Sequence, residues 1–200
     1  MLLRSCDASS LVIDALGDWE RGQNAAVACF YFDFAAQKEQ SPTSIMSSLL
    51  KQVVHGLEEI PAKIAQAFRN QKNIIGGREL GLDEIVEMLQ DITSSRPTFI
   101  FIDALDECMA EYRAKLLASL NKILHKSPST RIFLAGRLHI RDEVEKHLAG
   151  RVVALSITPT SDDIIRFLQA KLKEDIIPDA MDKSLEAEIL KNIPGTVSEV

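Results

Sequence analysis

Three acidic residues follow a run of large apolar residues near the middle of the chain. The run extends from Thr98 to Ile102, and the acids after it are Asp103, Asp106 and Glu107. A carboxylate at the end of a rigid strand is a good ligand for Mg²⁺, which prefers one or two carboxylates together with water and phosphate oxygens. A further carboxylate close by could orient or deprotonate an attacking water. The spacing predicts a metal-dependent site or, as the plainer alternative, an aspartate that caps the next helix.

An arginine follows the next apolar run in the same way. The run is Arg131 to Ala135, and Gly136-Arg137 comes directly after it. If both runs are parallel strands, their carboxyl ends share one edge of the sheet, where ligands of such sheets bind. Arg137 could then contact a terminal phosphate with its planar fork of donors, or it could simply pair with a neighbouring acid. Asp33, after an earlier run, is interpreted first as a helix cap or edge residue and second as a ligand contact.

The apolar pattern alternates between strand and helix along the chain. Short runs rich in β-branched and aromatic residues predict four strands, at 27–34, 98–102, 131–135 and 151–157. Apolar residues at helical spacing predict helices at 8–21, from 41, from about 60, at 82–92, at 112–124 and at 140–148, with two more after the capping-box sequence 160–163. Each connection is long enough for the crossover that parallel strands require. We therefore predict an α/β core over residues 1–158 and the start of a helical appendage over residues 159–200.

Composition excludes several classes of protein. The 200 residues include 23 basic and 29 acidic side chains, and the net charge of −6 argues against a nucleic-acid or anionic-membrane surface. The sequence contains no apolar run of about 18 residues and no signal-peptide pattern at its start. Three cysteines and four histidines fit neither a disulfide framework nor metal-ligand spacing. We expect a cytoplasmic protein.

Several segments together resemble a known family. F-I-F-I-D-A-L-D-E-C, from Phe99 to Cys108, resembles the Walker B segment of NACHT-type signal-transduction NTPases of the STAND class, in particular the nephrocystin-like NACHT domains common in filamentous fungi. Residues 30–34 are similar to the strand that follows the P-loop helix in that family. Residues 131–137 are similar to its strand ending in the sensor arginine, and residues 161–168 to the first helix beyond its core. The resemblance covers roughly residues 1–197.

The resemblance implies a three-layer P-loop NTPase-like core that uses Mg²⁺ with ATP or GTP. It implies that Asp103 holds Mg²⁺, that Asp106 and Glu107 handle the catalytic water, and that Arg137 senses the γ-phosphate. It also implies a signalling switch that lies between an effector domain and a set of repeats and self-associates when it is loaded with nucleotide.

The phosphate-binding loop of that family is not found in this chain. The loop requires G-x-x-x-x-G-K-[ST], whose backbone N–H groups and lysine hold the phosphates. None of the nine glycines is followed by lysine, and Gly76-Gly77 lies between predicted helices. The family order would put the loop and its central strand just before Met1. Gly136 and Leu138 also stand where the family usually has serine and proline.

We therefore expect a partial regulatory domain that keeps the acidic motif and binds nucleotide weakly or not at all. Hydrolysis by this chain is uncertain, and the missing loop argues against it. The alternatives are a non-catalytic protein-interaction scaffold, in which the acids only cap a helix, and a truncated product of a larger NACHT–repeat protein.

Overall fold

The computed structural model describes residues 25–57, 59–73, 80–148, 150–157, 160–173 and 183–197. Of these, residues up to 152 form one compact unit, and residues from 153 onward belong to a second. The helix predicted at 8–21 and the glycine pair at 76–77 lie outside the described residues. The predicted domain boundary after residue 158 stays a prediction.

Three parallel strands form the described sheet. β1 is Ala26–Tyr31, β2 is Thr98–Asp103 and β3 is Thr130–Leu134, in the order β1-β2-β3. In this register Tyr31 lies opposite Asp103, and Leu134 lies opposite Ile102. The carboxyl ends of all three strands therefore meet at one edge, which confirms the predicted α/β fold with an open parallel sheet.

Helices connect the strands, as parallel pairing requires. Between β1 and β2 lie α1 Pro42–His55, α2 Ala62–Asn73 and α3 Leu82–Ser95, and between β2 and β3 lies α4 Ala110–Lys126. A further helix, α5 Arg141–His147, follows β3. The start of α1 follows the predicted chemistry, because the Ser41 hydroxyl accepts the Ser44 N–H at 3.2 Å and a proline occupies the first helical position.

The core lies between the sheet and helices α1, α3 and α4. Alternate residues of β2 contribute Ile100 and Ile102 to it, since successive strand side chains point to opposite faces. The helices contribute fully buried residues at helical spacing: Ile45, Met46, Leu49, Leu50, Ile85, Leu89, Leu116, Leu117 and Leu120. Each such side chain stabilises the fold by about 1.5–3 kcal/mol relative to an exposed one. This packing holds the strand ends, and hence the candidate site, in place.

The outer edge of β1 is closed by a side chain of α1. The Cys29 N–H donates to Gln52 Oε1 at 2.9 Å, and Gln52 Nε2 donates to the Cys29 carbonyl at 2.8 Å. One amide thus satisfies both backbone groups that a neighbouring strand would otherwise bind. At this position the edge of β1 is therefore not open to a further strand.

The predicted fourth strand at 151–157 is wrong. These residues have no regular secondary structure, and the side chains of Val153, Leu155 and Ile157 are 87%, 84% and 85% exposed. High β-propensity does not make a strand by itself, because the backbone groups must pair with a neighbour. No strand among the described residues pairs with this segment.

The second unit contains two helices, α6 Ser161–Lys173 and α7 Lys183–Val197, which pack against each other. The predicted capping box at the start of α6 is confirmed, because the Thr160 N–H donates to the Asp163 carboxylate at 3.0 Å and the Asp163 N–H donates to Thr160 Oγ1 at 3.2 Å. The hydrogen bond from the Thr160 hydroxyl, followed by that from its N–H, lowers the pKa of Asp163.

No helix in the described part of the chain is long and apolar enough to span a bilayer.

Candidate functional site

A short 3₁₀ turn follows each strand at the carboxyl edge of the sheet. The turns are Phe34–Ala36 after β1, Leu105–Glu107 after β2 and Leu138–Ile140 after β3. Asp33 caps the first turn, because its Oδ1 accepts the Ala35 N–H at 2.9 Å. This geometry agrees with the first interpretation of Asp33, as a cap. The three turns bring the candidate residues to one edge.

Asp103 is the last residue of β2 and is only 2% exposed. Its Oδ1 accepts the N–H of Ala104 at 2.8 Å. Its Oδ2 is also buried, and no described residue donates a hydrogen bond to it. A buried carboxylate oxygen without a partner is costly in free energy unless something binds it. Such an oxygen fits the donor that Mg²⁺ requires.

The chain turns sharply directly after Asp103. Ala104 adopts the left-handed conformation, with φ 53° and ψ 40°, which costs a residue with a Cβ about 1–2 kcal/mol. The turn lets the Leu105 N–H donate to the Ala135 carbonyl at 2.9 Å, while the Ala135 N–H donates to the Ile102 carbonyl at 2.9 Å. The backbone after β2 is therefore joined to the backbone after β3. Strain of this kind is concentrated at functional sites.

Asp106 and Arg137 contact each other across this junction. Asp106 Oδ1 accepts the backbone N–H of Arg137 at 3.2 Å, and the Arg137 Nε lies 3.4 Å from Asp106 Oδ2. The Asp106 side chain is 7% exposed, whereas that of Arg137 is 78% exposed. The two residues were predicted from separate apolar runs, and the structure brings them together.

The glycine before Arg137 leaves room for this close approach. A Cβ at Gly136 would lie 2.9 Å from Ile140 Cδ1 and 3.3 Å from both the backbone nitrogen and Oδ1 of Asp106. The Ile140 side chain is buried, so it has little room to move away. A side chain at this position would therefore be crowded by Ile140 and Asp106.

Glu107 lies in the same turn as Asp106 but is oriented differently. Its carbonyl accepts a hydrogen bond from Gln37 Nε2 at 2.6 Å, which ties the first turn to the acidic turn. Its half-buried carboxylate makes no hydrogen bond or ion pair with the described residues. Gln37 was not identified from the sequence, because a glutamine in a polar loop carries no local signal of a contact 70 residues away.

The acids do not form a ready-made chelating cluster. Across the part of the chain that the structure describes, no three or more His, Cys, Asp or Glu side chains are grouped to hold a metal ion. A cation at Asp103 would take most of its remaining ligands from water and phosphate oxygens, as Mg²⁺ in nucleotide sites commonly does.

A partly buried ion pair supports the far end of the acidic turn. Arg113 is 9% exposed; its Nη1 donates to the Cys108 carbonyl at 2.9 Å, and its Nη2 lies 2.7 Å from Glu143 of α5. Burial raises the pKa of the Cys108 thiol to about 11; the positive charge of Arg113 opposes the shift and Glu143 adds to it. Cys108 is therefore a structural thiol, because the reactive form is the thiolate.

The chain is similar to one protein family and to a solved structure. The family model described as "Nephrocystin 3, N-terminal" matches residues 7–137, a range that includes all four candidate site residues. No curated protein matches the chain. Among solved structures, a Walker-type ATPase of Pyrococcus abyssi is similar with 14% sequence identity and a TM-score of 0.46. That match covers 92% of this chain, which spans 63% of the length of the archaeal chain.

The family match confirms the nephrocystin-like resemblance seen in the sequence. It extends from the segment before β1 to the arginine after β3, so it includes the whole described sheet. Since the model matches more than half of the chain, the protein belongs to the nephrocystin 3 N-terminal family.

Proposed function

We propose that this chain is an NTPase-like regulatory module of NACHT type that retains the metal and γ-phosphate side of a nucleotide site. The observation that supports the proposal is the buried Oδ2 of Asp103, which lacks a partner among the described residues at the carboxyl end of β2. Buried carboxylate oxygens in folded proteins are rarely without a partner, and a bound cation would be a partner for this one.

Each candidate residue would have a separate role in such a site. Asp103 would hold Mg²⁺, and Arg137, which is exposed at the same sheet edge, would contact the terminal phosphate of ATP or GTP. Glu107 is the better candidate for orienting water, because its carboxylate is not engaged by a described residue. Bound Mg²⁺ would neutralise phosphate charge, as it does in P-loop NTPases.

The loop that holds the phosphates in P-loop NTPases is not encoded in this chain, which has no G-x-x-x-x-G-K-[ST] sequence. Each missing charge-assisted hydrogen bond removes about 1.5–3 kcal/mol of binding free energy. We therefore expect millimolar or weaker affinity for ATP or GTP and no efficient hydrolysis. The module would then act on other protein domains or further copies of itself, in response to weakly bound nucleotide.

A second candidate is a non-catalytic interaction scaffold. One observation favours it: Asp106 binds the backbone and side chain of Arg137, and Asp103 Oδ1 binds the Ala104 N–H, so these acids already have structural roles. In a scaffold, Asp103 and Asp106 would only hold the turns together.

A ligand titration distinguishes the two candidates. Thermal unfolding is followed with Mg²⁺ alone, Mg-ATP and Mg-GTP for the wild type, for Asp103→Asn and for a matched control, Asp33→Asn, at the exposed cap of the first turn. The proposal expects a rise in melting temperature at millimolar Mg-nucleotide that Asp103→Asn abolishes and Asp33→Asn retains. No rise in the wild type, or an equal rise in Asp103→Asn, would leave the scaffold as the remaining candidate.

A further inference from the structure

We propose that Asp106 is a positioning residue, which fixes Arg137 at the sheet edge with its terminal guanidinium nitrogens directed to an anion. The inference rests on the proposed function for its ligand, a nucleotide phosphate. It differs from the role implied by the family resemblance, in which Asp106 shares the handling of water with Glu107.

Both carboxylate oxygens of Asp106 are used by Arg137. Oδ1 accepts the backbone N–H at 3.2 Å, and Oδ2 lies 3.4 Å from Nε. The side chain of Asp106 is 7% exposed. A carboxylate that is buried and bound in this way is poorly placed to accept a proton from water. The Glu107 carboxylate, in contrast, forms no hydrogen bond or ion pair with a described residue.

The contact leaves the outer part of the guanidinium available. Arginine has five N–H donors, and the ion pair with Asp106 is closest at Nε, 3.4 Å from Oδ2. The two terminal nitrogens of Arg137 donate no hydrogen bond to a described residue, and the side chain is 78% exposed. An exposed guanidinium with unused terminal donors can bind two oxygens of a phosphate.

The surrounding backbone is built to make this contact. The left-handed turn at Ala104 and the Leu105 N–H bond to the Ala135 carbonyl set the acidic turn beside the chain after β3. The absence of a Cβ at Gly136 then allows the Asp106 carboxylate to reach the next residue. The contact therefore holds the backbone of Arg137 beside Asp106, with the guanidinium Nε 3.4 Å from the carboxylate.

Hydrogen exchange of the ligand-free chain tests the contact itself. Asp106→Leu removes both acceptors, so we expect the Arg137 amide to exchange about two- to tenfold faster, as the loss of one hydrogen bond implies. Asp106→Asn retains an acceptor oxygen and should change the amide rate less, while it shifts the NMR signal of the Arg137 Nε–H. Unchanged amide exchange in Asp106→Leu, or an unchanged Nε–H signal in both variants, would overturn the proposal.

Nucleotide binding tests what the contact is for. The ratio of Mg-ATP to Mg-ADP affinity is measured for the wild type, Asp106→Asn, Arg137→Gln and the double variant. We expect Asp106→Asn to lower the ratio about two- to fivefold, the effect of a partly exposed charge pair, and to have no further effect when Arg137 is already replaced. A residue with only a structural role would lower both affinities equally.

Two results separate failure of the inference from failure of the proposed function. If Asp106→Asn lowers the ratio by the same factor in the Arg137→Gln background, Asp106 acts on metal or water directly and the positioning role is wrong. If the wild type binds neither nucleotide, the proposed function fails, and the exchange measurement alone decides whether Asp106 holds Arg137.

Discussion

Replacing Asp103 with asparagine should stabilise the ligand-free chain. The change retains the oxygen that accepts the Ala104 N–H and removes a negative charge from a side chain that is 2% exposed. An unsatisfied charged oxygen in this environment costs about 1–3 kcal/mol or more. The amide that replaces it also lacks a described partner but is neutral, so its burial costs less. We expect a net gain of about 1–2 kcal/mol in the free energy of unfolding.

Urea unfolding at neutral pH measures this gain, with the midpoint and the slope compared between variants. Asp33→Asn is the matched control, because Asp33 also accepts a backbone N–H at the end of a strand but is exposed. Since aspartate and asparagine are similar caps, this control should change stability by less than about 0.5 kcal/mol. Repeating the series with Mg²⁺ should raise the stability of the wild type and leave Asp103→Asn unchanged, because a ligand stabilises only the state that binds it.

A loss of more than about 1 kcal/mol in Asp103→Asn would refute the reasoning. It would mean that Oδ2 accepts a hydrogen bond from a group beyond the described residues, so that the charge is satisfied within the folded chain. The argument for a cation at Asp103 would then lose its physical basis. An equal response of Asp103→Asn and the wild type to Mg²⁺ would contradict it independently.

Three further predictions concern the structure that supports the site. Gln52→Leu removes both hydrogen bonds to the Cys29 backbone and should cost about 1–3 kcal/mol in urea unfolding, whereas loss of about 0.5 kcal/mol or less would mean that water replaces them. Glu143→Gln leaves Arg113 buried without its counter-charge. Because the Glu143 side chain is 28% exposed, we expect the free energy of unfolding to fall by about 1–3 kcal/mol. High salt should not cause a fall of this size in the wild type. Burial raises the pKa of the Cys108 thiol from 9.0 to about 11, so the unfolded chain releases this proton at lower pH than the folded chain does. The free energy of unfolding should therefore fall by up to about 2–3 kcal/mol as pH rises from 9.0 to about 11. The difference between wild type and Cys108→Ala isolates that effect, and an identical pH dependence of the two would contradict it.

The sequence predicted those parts of the fold that depend on local pattern. The continuous apolar run ending at Asp103 identified β2, and the serine–proline pair at 41–42 marked the start of α1. Both signals depend on neighbouring residues only, through burial of a strand on both faces and through the geometry of a helix N-terminus. The same reasoning failed at 151–157, where the local pattern was equally clear but no described neighbour was present to pair with it.

The acidic motif, its place at a strand end and its family resemblance were thus available from the sequence alone, because they are encoded within a few consecutive residues. Only the tertiary structure showed that Asp106 binds Arg137, 31 residues away, and that Gly136 permits this contact. It also showed that one oxygen of Asp103 is bound to the backbone and that the other has no partner among the described residues. Contacts of this kind depend on which strands become neighbours and how sharply the chain turns after each one, and distant parts of the chain decide both.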